Sequence, residues 1–320
     1  MLGAIIGDIV GSRYEFNPTN DYNFEFFSSG CDFTDDTICT IAVADAILKN
    51  RDYGDSIHEW CRRYPHPMGG YGGRFAGWVF NDDPKPYNSF GNGAAMRVSP
   101  VAHWFDNELQ VLDAAAATAE PTHNHDEGIK GAQTVALAIF KALQYRYQEA
   151  ALNIDDILND CVEFSGYDIN MPKASVINRF DETCQGTVPV ALKIISMATS
   201  FEDAIRLAVS LGADADTLGA IVGSIAEAIW GIPSSMKRKF ERLLPEDMQT
   251  VLKDFHHKRP PSNNLIDTCY AGDDFSNETW DLLYDLDGKE AYEQQLAQAK
   301  ADHLNKRNIM AQRAKARETW

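Results

Sequence analysis

A chain of 320 residues with 44% hydrophobic content can bury a substantial core, enough for one large domain or two ordinary ones. Its 47 acidic side chains against 29 basic ones give a formal charge of -18, which argues against generic binding to nucleic acid and requires any anionic ligand to be neutralised locally, by metal ions, helix N-termini or a few placed cations. The six cysteines, Cys31, Cys39, Cys61, Cys161, Cys184 and Cys269, form no C-x-x-C pair, so reduced thiols are expected rather than a zinc or redox site. No run reaches the roughly 18 apolar residues of a membrane span. The apolar start, Met1 to Asp8, lacks a basic region and is broken by Asp8, so no signal peptide is expected and a cytoplasmic protein is the simplest account.

Apolar residues recur at spacings of three and four, as in Ile38, Ile41, Ala42 and Leu48 or Val135, Ile139 and Leu143, and predict an all-α fold. Helices are expected near 3–11, 35–50, 55–63, 92–104, 107–119, 126–148, 155–164, 186–198, 201–211, 217–230 and 245–256. The alternation Tyr22 to Phe26 is the best strand candidate and reads equally well as a loop pinned by its aromatics. Segments 65–77 and 81–93, rich in Gly, Pro and Asn, are expected to be irregular and functional. The periodicity stops around His256 to Pro261, so residues 1–259 are expected to form one domain and 260–320 a C-terminal extension. That extension reads as an irregular acidic segment and then, beyond Gly288, a charged helix, either exposed or in contact with a second copy of the chain.

Two stretches carry more acid than a helix start needs. Gly212-Ala-Asp-Ala-Asp-Thr217 precedes a helix with Leu218, Ile221, Val222 and Ile225 on one face, and Gly219 and Gly223 permit close approach of another backbone. Phe33-Thr-Asp-Asp-Thr37 opens an equally apolar helix. Each alone could be a cap that complements the helix dipole. If the two meet, the carboxylates of Asp35, Asp36, Asp214 and Asp216 repel unless cations lie between them, and an oxygen-only donor set favours Mg²⁺ or Mn²⁺. Asp8 reads as structural, bonded to backbone groups, and Glu15 as a loop residue of no evident role.

Ser89-Phe-Gly-Asn-Gly93 runs from a Gly-containing loop into a predicted helix, which points amides at an anion, although it lacks the Lys-Ser or Lys-Thr of a P-loop. His123 begins another helix and could reach the same anion or simply cap or hydrogen-bond locally.

Taken in order, Gly7-Asp8-x-x-Gly11 with Glu15, Thr34-Asp35-Asp36, Gly91-Asn-Gly-Ala-Ala-Met-Arg97, Thr122-His123 and Gly212-Ala-Asp-Ala-Asp-Thr217 resemble the ADP-ribosylglycohydrolase family, over residues 1 to about 257. The resemblance implies an orthogonal multi-helix bundle with two Mg²⁺ or Mn²⁺ ions in a cleft. It implies Thr34, Asp35, Asp36, Asp214, Asp216 and Thr217 as metal ligands and Ser89, Phe90, Gly91, Asn92, Gly93 and His123 as the substrate cradle. It also gives Glu15 a place beside the metals. The partner implied is an ADP-ribose conjugate, protein-linked or small. Cleaving its C1″ glycosidic bond needs a water aimed at the anomeric carbon and a base, for which Asp36 is nominated, with Asp35 or Glu15 as alternatives. A metal phosphohydrolase and a non-catalytic ADP-ribose binder are the competing expectations. The resemblance leaves open the acceptor and the aromatic that stacks on adenine, among Tyr71, Phe75, Trp78, Tyr87 and Tyr167.

Overall fold

The computed structural model describes residues 1–147, 153–259 and, near the C-terminus, Gln312, Arg313 and Arg317. Its helices are α1 (Leu2–Ser12), α2 (Asp35–Lys49), α3 (Tyr53–Arg63), α4 (Gly73–Val79), α5 (Gly93–Met96), α6 (Ser99–Trp104), α7 (Glu108–Ala119), α8 (Asp126–Tyr147), α9 (Ile154–Ser165), α10 (Cys184–Met197), α11 (Phe201–Val209), α12 (Ala215–Trp230), α13 (Ser234–Phe240) and α14 (Glu246–Lys258), with 3-10 turns at Lys173–Ser175 and Glu241–Leu243. The described residues contain no strand, only an isolated bridge between Gly91 and Thr183, as the all-α expectation requires. No described helix is long and apolar enough to cross a membrane. Met1–Leu265 forms one compact unit, and of Ile266–Trp320 only three residues are described. The expected boundary at 260, the charged helix beyond Gly288 and its suggested role in self-association lie outside the described residues.

α1 and α12 form the centre. α1 is buried along its whole length and α12 from Ala215 to Ile229, so neither has a solvent face, and the few polar side chains on them, such as Asp8, Asp216 and Glu227, are buried with the rest. Gly3, Gly7 and Gly11 fall on one face of α1 at spacings of four. A Cβ at any of them would overlap the α12 backbone at Gly223, Gly219 or Ala215, and a Cβ on Gly219 would lie 2.6 Å from the Gly7 carbonyl oxygen. The two helices therefore touch backbone to backbone. The start of α1 is pinned in the same direction, since Glu227 of α12 accepts from the Gly3 amide at 2.8 Å and from the Met1 amine at 2.5 Å.

Two expectations need correction. The single helix over 92–104 is two, α5 and α6, because Pro100 has no N–H for the Met96 carbonyl and its ring crowds that carbonyl. Part of the irregular stretch 65–77 is the start of α4, which buries Phe75, Trp78 and Val79 at helical spacing; two turns among glycines are too short for periodicity to stand out. Tyr22 to Phe26 is a loop, as its alternative reading had it: Phe24 stacks on Phe26 with centroids 5.2 Å apart, and Arg206 of α11 lies 4.5 Å over the Phe26 ring. α13 was also not foreseen. The five described cysteines are free thiols, in line with the reduced state expected.

Candidate active site

The contact of α1 with α12 sets the position of Asp8, the residue after Gly7. Asp8 is fully buried and acts as an external cap for α2: one oxygen accepts from the Thr34 amide (3.0 Å), the Thr37 amide (3.0 Å) and the Thr37 hydroxyl (2.5 Å), and the other from the Thr34 hydroxyl (2.8 Å). This is the backbone-bonding role read from the sequence. It satisfies donors that a helix start leaves open and fixes the first turn of α2 against α1. Thr34 is the N-cap residue of α2, its hydroxyl accepting from the Asp36 amide at 3.2 Å.

That first turn carries Asp35 and Asp36 to the start of α12. The Thr217 hydroxyl donates to Asp36 Oδ2 at 3.1 Å, so the two acidic helix starts meet. The simple capping alternative does not describe Asp214: it occupies the N-cap position of α12, but its side chain makes no capping bond there and instead accepts from Asn92 Nδ2 at 2.7 Å. Glu15 joins from the loop after α1, with one carboxylate oxygen each of Glu15, Asp214 and Asp216 within 4.8 Å of one another. A Cβ on Gly69, at φ 78°, would come 2.5 Å from Glu15 Oε2, so this glycine gives Glu15 its room.

Burial makes this cluster costly as it stands. Asp36 and Asp216 are 2% and 3% exposed, and Oδ1 of each is buried without a hydrogen-bond partner. Desolvation, then mutual repulsion, pushes the carboxyls of Asp35, Asp36 and Asp216 well above the usual carboxylate range. Burial lifts Asp214 to about 7, and burial with the charges of Asp216 and Asp8 lifts Glu15 to about 8. Hard oxygen donors, two of them orphaned, converging among unneutralised carboxylates fit a hard divalent cation. Thr34 and Thr217 can add hydroxyl oxygen, since each donates its proton elsewhere and retains a lone pair.

The cluster floors a cleft of about 470 Å³ that also contains Ser89, Phe90, Gly91, Asn92, Gly93 and His123. The foreseen metal-ligating and cradle residues thus gather in one place, except that Thr34 lies behind the cleft wall. Ser89, Gly91 and Asn92 spend their amides on Thr122 O, Ser89 Oγ and Glu182 O, leaving those of Phe90, Gly93 and Ala94 without a partner among the described residues. Asn92 also holds the cleft together, its buried Nδ2 donating to Thr187 and Asp214.

His123 is buried and its environment selects a tautomer. Arg97 donates to the Thr122 hydroxyl at 2.8 Å, and that hydroxyl, buried with no other acceptor, gives its proton to His123 Nδ1 at 2.7 Å. Nε2 then carries the hydrogen. It lies 3.2 Å and 3.1 Å from where a Cβ would stand on Gly91 and Gly93, so it reaches the cradle because glycines are there. Burial, then Arg97 and Arg74, hold the ring well below the usual histidine range, so it is a neutral donor.

The aromatic candidates separate. Phe75 and Trp78 are buried and stacked on each other, the Tyr71 hydroxyl is bound to the Cys61 and Tyr64 carbonyls, and Tyr167 lines a different cavity of about 430 Å³ that shares Asp214 as a wall. Tyr71, Phe75 and Tyr87 line the cleft, with exposed Phe90, whereas Trp78 does not. Sequence reasoning missed Phe16 and Phe180, an exposed stacked pair 6.1 Å apart on the cleft wall, together with Glu182 and Arg74. Phe16, Phe180 and Glu182 lie in loops and Arg74 in a two-turn helix, neither of which carries a periodicity that could have marked them.

Comparison with known proteins agrees with this geometry. A family model described as ADP-ribosylglycohydrolase matches residues 1–264. The chain is 24% identical to an ADP-ribosylarginine hydrolase, Tri1, of Pseudomonas putida (strain GB-1), over 85% of this chain and 80% of that one. It is 25% identical to the ADP-ribosylhydrolase ARH3 of Homo sapiens, over 75% of this chain and 88% of the relative. A solved structure titled ADP-ribosylglycohydrolase-related protein complex has the same fold, with a TM-score of 0.62, 24% identity, and coverage of 80% of this chain and 95% of that one.

Proposed function

The chain belongs to the ADP-ribosylglycohydrolase family, and from that premise we propose that it is a divalent-metal-dependent hydrolase of the C1″ glycosidic bond of ADP-ribose, acting on a conjugate with a protein side chain or a small acceptor. The observation that carries the metal dependence is the meeting of Asp36 with Thr217 among buried carboxylates whose Oδ1 atoms, on Asp36 and Asp216, have no partner. Two Mg²⁺ or Mn²⁺ ions would be held by Thr34, Asp35, Asp36, Asp214, Asp216 and Thr217. Bound there, they would supply Lewis acidity toward the ribose hydroxyls and a water of lowered pKa.

The chain's own groups supply the rest. The unbonded amides of Phe90 and Gly93 and the Nε2–H of His123 point to donors for the diphosphate, the anion that an acidic chain must hold by local means. Asn92 orients Asp214 through its amide. The proton of the attacking water goes to a carboxylate oxygen; Asp36 is the first assignment, with Asp35 and Glu15, both only half-buried, next. A cytoplasmic location belongs to the same proposal.

The test is a panel of arginine-, serine- and acyl-linked ADP-ribose conjugates, assayed with Mg²⁺ or Mn²⁺ and with chelator. Release of ADP-ribose that disappears with chelator and in Asp216→Ala is expected. Release of inorganic phosphate would make the protein a phosphohydrolase, and tight ADP-ribose binding without turnover of any conjugate would make it a binder.

A further inference from the structure

The cleft is rich in carboxylates, with Glu15, Asp35, Asp36, Glu182, Asp214 and Asp216 on its wall, and among the described residues only two cationic side chains line it, Arg74 and Arg97. A substrate with a diphosphate must find positive charge there. Arg97 is 1% exposed, and one Nη donates to both the Thr118 carbonyl and the Thr122 hydroxyl, which places it in the support of His123. Arg74, in the first turn of α4, is exposed. Its guanidinium lies 5.0 Å over the Tyr87 ring and one Nη donates to the Tyr87 carbonyl, while its other N–H groups have no partner among the described residues. Stacking and one backbone bond hold the planar group in a fixed direction and leave donors to spare. Tyr87 in turn stands 6.2 Å from His123, the neutral donor at the cradle. Arg74 is near enough to His123 to help hold that ring neutral.

The glycines before it point the same way. Gly70, Gly72 and Gly73 all line the cleft, and a Cβ on any of them would meet nothing within 4 Å. Gly72 and Gly73 have no positive φ either, so neither packing nor backbone geometry calls for them. What they preserve is empty space beside Arg74.

We propose that Arg74, held by Tyr87, is a phosphate-binding residue of this enzyme, taking an oxygen of the substrate's diphosphate together with the Ser89–Gly93 backbone and His123, in space kept open by Gly72 and Gly73. The proposal rests on the ADP-ribosyl reading of the cleft and adds to it the cation that the composition called for.

The test uses the full chain with Arg74→Ala and Arg74→Lys. It measures ADP-ribose affinity by calorimetry, steady-state release of ADP-ribose from the preferred conjugate, and inhibition by adenosine, which has the base and sugar but no phosphate. Losing one charge-assisted contact should weaken ADP-ribose binding and raise KM by roughly 10- to 100-fold in Arg74→Ala, with kcat changed by less than about threefold. Arg74→Lys should recover part of the loss, because it keeps the charge but not the fork. Adenosine inhibition and Tm should change little, since Arg74 is exposed and adenosine has no phosphate for it to hold. Unchanged ADP-ribose affinity in Arg74→Ala, or an equal loss for adenosine, overturns the assignment. A wild-type protein that neither binds ADP-ribose nor hydrolyses any conjugate overturns the functional reading beneath it, a result distinguishable from a wild type that binds and a variant that binds equally well.

Discussion

Replacing Asp8 separates hydrogen-bond geometry from charge at the centre of the site. In Asp8→Asn the amide oxygen can occupy the position that accepts from Thr34 N, Thr37 N and Thr37 Oγ1, while the new NH₂ donates to the Thr34 hydroxyl, which turns toward Asp36 Oδ2, 3.5 Å away. One bond reverses and none is lost. The ionisation cost disappears: burial lifts Asp8 from 3.8 to about 6, so its charged form penalises the fold by roughly 3 kcal/mol above that pH. The sign follows from linkage. An acid whose pKa is raised on folding binds more protons in the native state, so the penalty is absent below about 4 and complete above about 6.

Thermal unfolding of the metal-free proteins in chelator at pH 5 and pH 8 should therefore show Asp8→Asn gaining on the wild type as pH rises. The gain at pH 8 should be roughly 6–12 °C, at about 2–4 °C per kcal/mol for a domain of this size. The other carboxylates titrate in both proteins and largely drop out of the difference. Asp8→Ala strands the two buried amides of Thr34 and Thr37 and should lose roughly 2–6 kcal/mol relative to Asp8→Asn. If Asp8→Asn is as unstable as Asp8→Ala at both pH values, the carboxylate's charge rather than its acceptor geometry holds α2, and the reasoning is refuted.

Three further outcomes follow from the same geometry. At pH 8, Mg²⁺ or Mn²⁺ at about 100 times its Kd should stabilise the protein by roughly 3 kcal/mol, read as a concentration-dependent Tm that is lost in Asp216→Asn. In chelator, wild-type stability should decline as pH rises from 5 to 8.5, because Asp214 and Glu15 are lifted to about 7 and about 8, and Glu15→Gln should flatten the upper part of that decline in a pH series of melts. Gly219→Ala would place a Cβ 2.6 Å from the Gly7 carbonyl oxygen, where only backbone can give way, so it should cost about 2–3 kcal/mol. It should also reduce turnover by moving α12 and Asp216 from α2; unaltered Tm and activity would show that the two helices have slack.

Composition and local pattern were enough to determine helices, because their cores are read from apolar spacing and their starts from Thr34 and the acids after it. The two acidic clusters and the glycine cradle were legible for the same reason: each is a run of adjacent residues whose chemistry exceeds what a helix start needs. That they share one cleft was decided by tertiary structure, since the contact between Asp36 and Thr217 depends on α1 and α12 meeting at Gly7 and Gly219. Asp8 showed in the sequence only as a buried acid; its grip on α2 needed the partner 26 residues away. The tautomer of His123 depends on Arg97 and Thr122, and Arg74 reaches the cleft through its contacts with Tyr87, a residue 13 positions away. Short-range chemistry is written in neighbouring letters, whereas charge balance in a cleft is a sum over loops that only folding brings together.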